Sequence, residues 1–98
     1  MTRVVFLIPT PLRPFAGGRG RIAVDVAKDP PVLGDALEAL WQDAPGVRDR
    51  VVTEQGQVRE HVNVFVGTES SRWSGGLATP VADGAEIAIF PAISGGAR

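Results

Sequence analysis

Side chains able to do chemistry are scarce in this chain, and its most suggestive residues lie at its end. The 98 residues include no cysteine and a single histidine, His61. Without cysteine there are no disulfides, thiolate zinc sites, cysteine-held iron–sulfur clusters or cysteine nucleophiles. A metal site needs several converging ligands, so a lone His61 reads as structural or solvated and no metal is expected. Gly17-Gly18-Arg19-Gly20 and Gly75-Gly76 do not lead from a strand into a helix, as a phosphate-binding loop must, so the first reads as a hairpin turn and the second as a turn or bulge. No Ser-His-Asp set, acid–base carboxylate pair or nucleotide motif stands out, so no catalytic residue and no bound cofactor are expected. What remains is Ile93-Ser94-Gly95-Gly96, followed by Ala97-Arg98. Glycines take backbone angles closed to other residues and let a chain thread a narrow channel. From Ala92 to Gly96 an extended chain would reach about 16 Å at ~3.3 Å per residue. That is enough to enter another protein's active site while the domain docks outside it. Taken alone, however, two glycines near a terminus read more readily as a frayed end.

The tail follows a run of elements that reads as one small domain. Arg3 to Ile8 is β-branched and aromatic, and Pro9 ends it as a strand. Arg21 to Val26 alternates, with Ile22, Val24 and Val26 on one face, so the two segments and the glycines between them read as a hairpin. After Asp29-Pro30-Pro31, Leu33, Leu37, Leu40 and Trp41 recur at helical spacing. Pro45-Gly46 ends this main helix, and Val47, Val51 and Val52 suggest one further short turn. Thr53 to Glu60 is polar and reads as a loop. Val62 to Val66 is a strand, Arg72-Trp73 reads as a brief pairing segment with Trp73 at the sheet edge, and Ala82-Asp83-Gly84 is a tight turn. Glu86 to Phe90 is the last strand. The order β-β-α-β-(β)-β is what a β-grasp domain requires: an α+β fold with a mixed sheet and one main helix across one face. In it the first and last strands lie side by side in the middle. The boundaries expected are a domain over 1–91 and a flexible tail over 92–98.

Composition narrows the function classes. A chain 44% hydrophobic and 21% charged suits a folded globular domain rather than a disordered one. Its formal net charge of −1 supplies no field to draw it onto nucleic acid or an anionic membrane. Val4 to Ile8 is too short for a secretory segment, which needs roughly 7–15 apolar residues, and no run approaches the ~20 of a membrane span. A cytoplasmic protein is expected.

Several segments resemble one known group. Phe90-Pro91-Ala92-Ile93-Ser94-Gly95-Gly96 is similar to the tail of the ubiquitin-like sulfur carriers, which include the small subunit of molybdopterin synthase and the thiamine- and cysteine-synthesis carriers. Ser74 to Gly84 with Glu86 to Pro91 resembles the last third of a cysteine-synthesis-type carrier, and Ile8 to Pro14 resembles its start. The resemblance implies a protein co-substrate rather than an enzyme. A carboxylate at Gly96 would be adenylated with ATP by an E1-like adenylating and sulfur-transferring enzyme, because a bare carboxylate is a poor electrophile. Sulfur would then displace AMP to give a thiocarboxylate, which donates sulfur to a carrier-dependent synthase. Carriers of this group work with glycine last, and here Ala97-Arg98 follows. The extension is read as a precursor tail cut between Gly96 and Ala97, by a zinc metallopeptidase in some relatives. An artificial addition and a divergent, inactive carrier are the other readings.

The same resemblance marks the surface beside the tail. Along the last strand Ile87 and Ile89 face the helix, which leaves Phe90 on the open face near Pro91, with Phe65 or Val66 from a neighbouring strand. From the residues alone Phe90 fits peripheral core as well as a partner anchor; the matching Phe of the molybdopterin-synthase subunit favours the anchor. Arg13 would pair with an acidic patch on a partner, although an exposed arginine is usually only solvated. Cysteine synthesis is the destination implied most directly. The small subunit of molybdopterin synthase and a ubiquitin-like protein modifier are the alternatives.

Overall fold

The computed structural model describes residues 1–91. Five strands form one mixed sheet: β1 (Thr2–Leu7), β2 (Arg21–Val26), β3 (Val62–Val66), β4 (Glu69–Ser70) and β5 (Glu86–Pro91), in the spatial order β2-β1-β5-β3-β4. β1 and β5 are parallel and central, and every other pairing is antiparallel. Both strands need apolar side chains on the face beneath the helices, and the alternation supplies them. Val4 and Phe6 of β1 and Ile87 and Ile89 of β5 are buried beneath the helix layer. Val5, Leu7 and Ala88 are half-buried on the opposite face.

That helix layer is α1 (Leu33–Asp43) extended by α2 (Pro45–Val51). α1 buries Leu33, Ala36, Leu37, Leu40 and Trp41 as one stripe, and α2 adds Val47 and Val51. Each fully buried leucine or valine among them contributes about 1.5–3 kcal/mol relative to exposure. At the start of α1 the Asp35 carboxylate accepts a 3.0 Å hydrogen bond from the Val32 N–H. This satisfies a donor that has no partner within the helix. The Leu33 N–H donates to the Thr79 carbonyl at 2.8 Å, which ties the helix start to the approach of β5.

Two local expectations are corrected. β1 and β2 do pair antiparallel, but their connection is no tight hairpin turn: Thr10–Ala16 forms a 3-10 helix. Pro11 and Pro14 fix φ near −65° and lack N–H groups, which suits a short 3-10 run, while Leu12 and Ala16 anchor it in the core. Gly17, at φ 68°, then closes it. The second correction concerns Arg72-Trp73, which is not a strand but the middle of a short helical turn, α3 (Ser71–Ser74). The edge strand lies just before it, at Glu69–Ser70, joined to β3 through Gly67-Thr68. Gly67 takes φ 64°, as the first central position of a two-residue hairpin requires.

Candidate functional site

The candidate site grows from the outer face of β5. Paired residues on neighbouring strands share a face, so the register alone places Leu7, Ala88 and Phe65 in one row. Phe90 stands opposite Asn63 one pair further on. Phe90 is 51% exposed, so it belongs to the surface rather than to the core. Its ring meets that of Phe65 edge to face, with centroids 5.5 Å apart and planes at 89°, the arrangement the aromatic quadrupole favours. Of the two expected companions it is therefore Phe65 that joins the open face. Val66 pairs with Ile87 on the helix side.

Beside Phe90 lies a shallow groove of about 320 Å³ whose walls include Leu7, Pro9, Arg13, Gly20, Arg21 and Phe90. Arg13 is fixed there by its Nε, which donates to the Ile8 carbonyl at 2.9 Å. Its guanidinium passes so close to Gly20 that a Cβ at that position would sit 3.0 Å from Nε. Glycine at 20 thus leaves room for the charge to lie flat beside the end of β5. Arg21, on the same open face, makes a long 3.5 Å ion pair with Glu86.

On the other side of β5, Arg72 closes the sheet. Its Nε donates to Asn63 Oδ1 at 3.0 Å, and its Nη2 donates to the carbonyls of Val62, at 3.1 Å, and Glu60. β4 is too short to pair with that stretch of β3, so a side chain supplies the missing donors. Trp73, expected at the edge, is instead 83% exposed and caps nothing. Farther out on the open face, Arg3 and Asp25 form a 3.0 Å pair. The hydrogen bond from Arg3 holds the Asp25 carboxyl below its ordinary range, and the same bond raises Arg3.

The structure thus brings Phe65, Phe90 and Arg13 together on the open face beside the end of β5, whereas Pro91 pairs with Val62 on the helix side. Ile93, Ser94, Gly95, Gly96 and Ala97 lie outside the described residues. Arg21, Gly20 and Arg72 were not picked out by sequence reasoning. The alternation of β2 was a usable signal for Arg21; nothing local pointed to Arg72, whose role arises only from the shortness of β4. Among the described residues there is no cluster of three or more metal-ligating side chains, and no helix is long and apolar enough to cross a membrane.

Comparison with known proteins agrees with this geometry. The sulfur carrier protein CysO of Mycobacterium tuberculosis is 38% identical over 95 residues, which cover 95% of this chain and 98% of that protein. Small archaeal modifier protein 1 of Haloferax volcanii is 39% identical over 85 residues, covering 87% and 91%. Among solved structures, a chain in the BexX/CysO complex of Amycolatopsis orientalis superposes with a TM-score of 0.81 at 30% identity, covering 94% of this chain and 98% of that one. The model of the ThiS family matches residues 6–96. With its β-grasp sheet and its matched span reaching the second glycine, the chain belongs to the ThiS family of ubiquitin-like proteins.

Proposed function

We propose that this protein is a sulfur carrier whose working atom sits on the carboxyl group of Gly96. The observation that carries the reading is the course of the last strand. β5 runs through the centre of the sheet and presents an exposed Phe90 one residue before its end at Pro91, and the family match continues to Gly96 and stops there. In the proposed sequence a peptidase, of the zinc-dependent kind, hydrolyses the Gly96–Ala97 bond and releases Ala97-Arg98. The freed carboxylate attacks the α-phosphorus of ATP on an E1-like activating enzyme, and pyrophosphate leaves. A sulfide-level donor then adds to the acyl-adenylate carbonyl and AMP departs, which leaves a thiocarboxylate. Sulfur passes from it to the substrate of a carrier-dependent synthase. ATP stays with the activating enzyme, and the carrier itself binds no cofactor.

The likeness to CysO supports cysteine formation as the destination, and the Amycolatopsis complex supports a carrier that works docked to another protein. In this reading Phe90 and Phe65 form the apolar anchor, Pro91 directs the chain off the sheet, and Arg13 meets acidic groups of the partner. Ile93, Ser94 and Gly95 pass through the partner's channel. The experiment compares the full chain with one ending at Gly96, each with the activating enzyme and ATP. Pyrophosphate exchange should occur only with the shorter chain; equal ATP consumption by both would overturn the reading.

The likeness to small archaeal modifier protein 1 favours a second reading, in which the activated Gly96 is joined to lysines of other proteins. Slow-migrating conjugates in cell extract that vanish on deletion of Gly96 would select it.

A further inference from the structure

The two edges of the sheet are finished differently. At one edge β4 is only two residues long, α3 follows it directly, and Arg72 caps the carbonyls that β4 does not reach. At the other edge β2 keeps six residues in regular pairing with β1. The Ile8 N–H donates to the Gly20 carbonyl at 2.8 Å, which makes Ile8 and Gly20 a hydrogen-bonded pair. In an antiparallel ladder such pairs recur every second residue. The main-chain groups of Ile22, Val24 and Val26 therefore turn toward β1, and those of Arg21, Ala23 and Asp25 turn outward. Beside this outward row, between β2 and α1, runs an open groove of about 360 Å³ lined by Ala23, Val24, Asp25, Ala39, Gln42 and Asp43. An unpaired strand edge of this kind is a template for another strand unless its side chains repel one.

Here the side chains are self-complementary. Arg21 and Asp25 lie two residues to either side of Ala23 and share its face. Set a second β2 antiparallel to the first, with the twofold axis through Ala23. Arg21 then stands opposite Asp25 of the second copy, and Asp25 opposite its Arg21. The small Ala23 side chains meet at the centre. Opposite charges directly across a strand pair stabilise it, and like charges would oppose it. About six main-chain hydrogen bonds would form, two for each facing pair. Arg21 is available for this, because its 3.5 Å contact with Glu86 is long and both side chains are more than half exposed. Asp25, which Arg3 holds at 3.0 Å within its own copy, would accept the second copy's Arg21 as an additional donor. In the groove Asp43 is already neutralised by Arg19 at 3.2 Å, so two α1 helices can approach without unpaired carboxylates facing each other.

We infer that β2 is a homodimerisation edge, through which two copies of this chain join their sheets into one of ten strands. Because β2 and its copy run antiparallel, the two β5 strands also run in opposite directions. The C-terminal ends of the two β5 strands then lie at opposite ends of the dimer, and the Phe90 faces lie on its open side. Arg21 also walls the groove beside Phe90, so the docking and self-association surfaces adjoin at that residue.

Sedimentation of the full-length protein from ~10 µM to ~1 mM tests this, a range suited to an interface at the small end of the usual sizes. A rise in weight-average mass from monomer toward dimer is expected. Ala23→Pro removes an outward N–H that β1 does not use and should abolish the rise while leaving the circular dichroism spectrum native. Arg21→Asp and Asp25→Arg should each stay monomeric alone, yet associate one to one when mixed, because one edge is then wholly acidic and the other wholly basic. A wild-type chain that remains monomeric at the highest concentration would overturn the inference. So would a dimer that survives Ala23→Pro, or single variants that fail to associate on mixing.

Discussion

Truncating Phe90 to alanine should weaken docking to the activating enzyme strongly and stability moderately, and the structure sets both sizes. A phenylalanine presents roughly 200 Å², and with 51% of the Phe90 residue exposed, about half of that remains for a partner to cover. At ~25 cal/mol per Å² the uncovered half is equivalent to about 2.5 kcal/mol, or roughly seventyfold in affinity. Area converts incompletely at protein interfaces, so a loss between about tenfold and seventyfold is expected. The buried half and the edge contact with Phe65 give a stability loss of about 2–4 kcal/mol. A domain with roughly 5–15 kcal/mol of stability remains folded after such a loss. Calorimetric titration of the enzyme with the variant ending at Gly96, beside thermal melts of the same samples, reads both numbers. Phe90→Leu keeps most of the apolar area and should recover most of the affinity. An Ala variant unfolded at 25 °C would place Phe90 in the core, and affinity within twofold of wild type would remove it from the docking surface.

Arg72→Ala should cost about 1–3 kcal/mol, since it strips the donors from the Val62 and Glu60 carbonyls; hydrogen exchange should rise first at β3 and β4. Gly46→Ala should destabilise although alanine favours helices, because its Cβ would sit 2.8 Å from the Phe15 carbonyl oxygen. A cost of about 1–3 kcal/mol is expected for such overpacking, with a lowered melting temperature as the readout. Asp25 titrates below its ordinary value of 3.8 because of Arg3. The stability this pair adds is therefore present above that value and is lost as pH falls through the lower, folded-state pKa. In Arg3→Ala the Asp25 carboxyl resonance should titrate at higher pH than in wild type, and an unchanged midpoint would dissociate the two.

The parts of the fold that were legible in the sequence are those set by periodicity. Leu33, Leu37, Leu40 and Trp41 at helical spacing become the buried stripe of α1, and the alternation of Glu86 to Phe90 places Ile87 and Ile89 inward and Phe90 outward. Connections were less legible. Pro9 reads as the end of a strand, yet just past it Pro11 and Pro14, with Leu12 and Ala16 drawn into the core, form a 3-10 helix. Arg72 gave no local signal, because its partners are main-chain carbonyls 10 and 12 residues away in the chain. Phe65 and Val66 could be told apart only by register, which depends on where β3 meets β5. Arg13 and Gly20 form a unit, but the contact exists only once the 3-10 helix folds the first over the second.

The central claim is that Gly96 carries sulfur, and the most direct measurement is the intact mass of the protein recovered from its native cell under sulfur demand. The result expected is a species lacking Ala97-Arg98 with one terminal oxygen replaced by sulfur. Recovery of only the chain through Arg98, with Gly96 still in peptide linkage and no sulfur-bearing form, would contradict it.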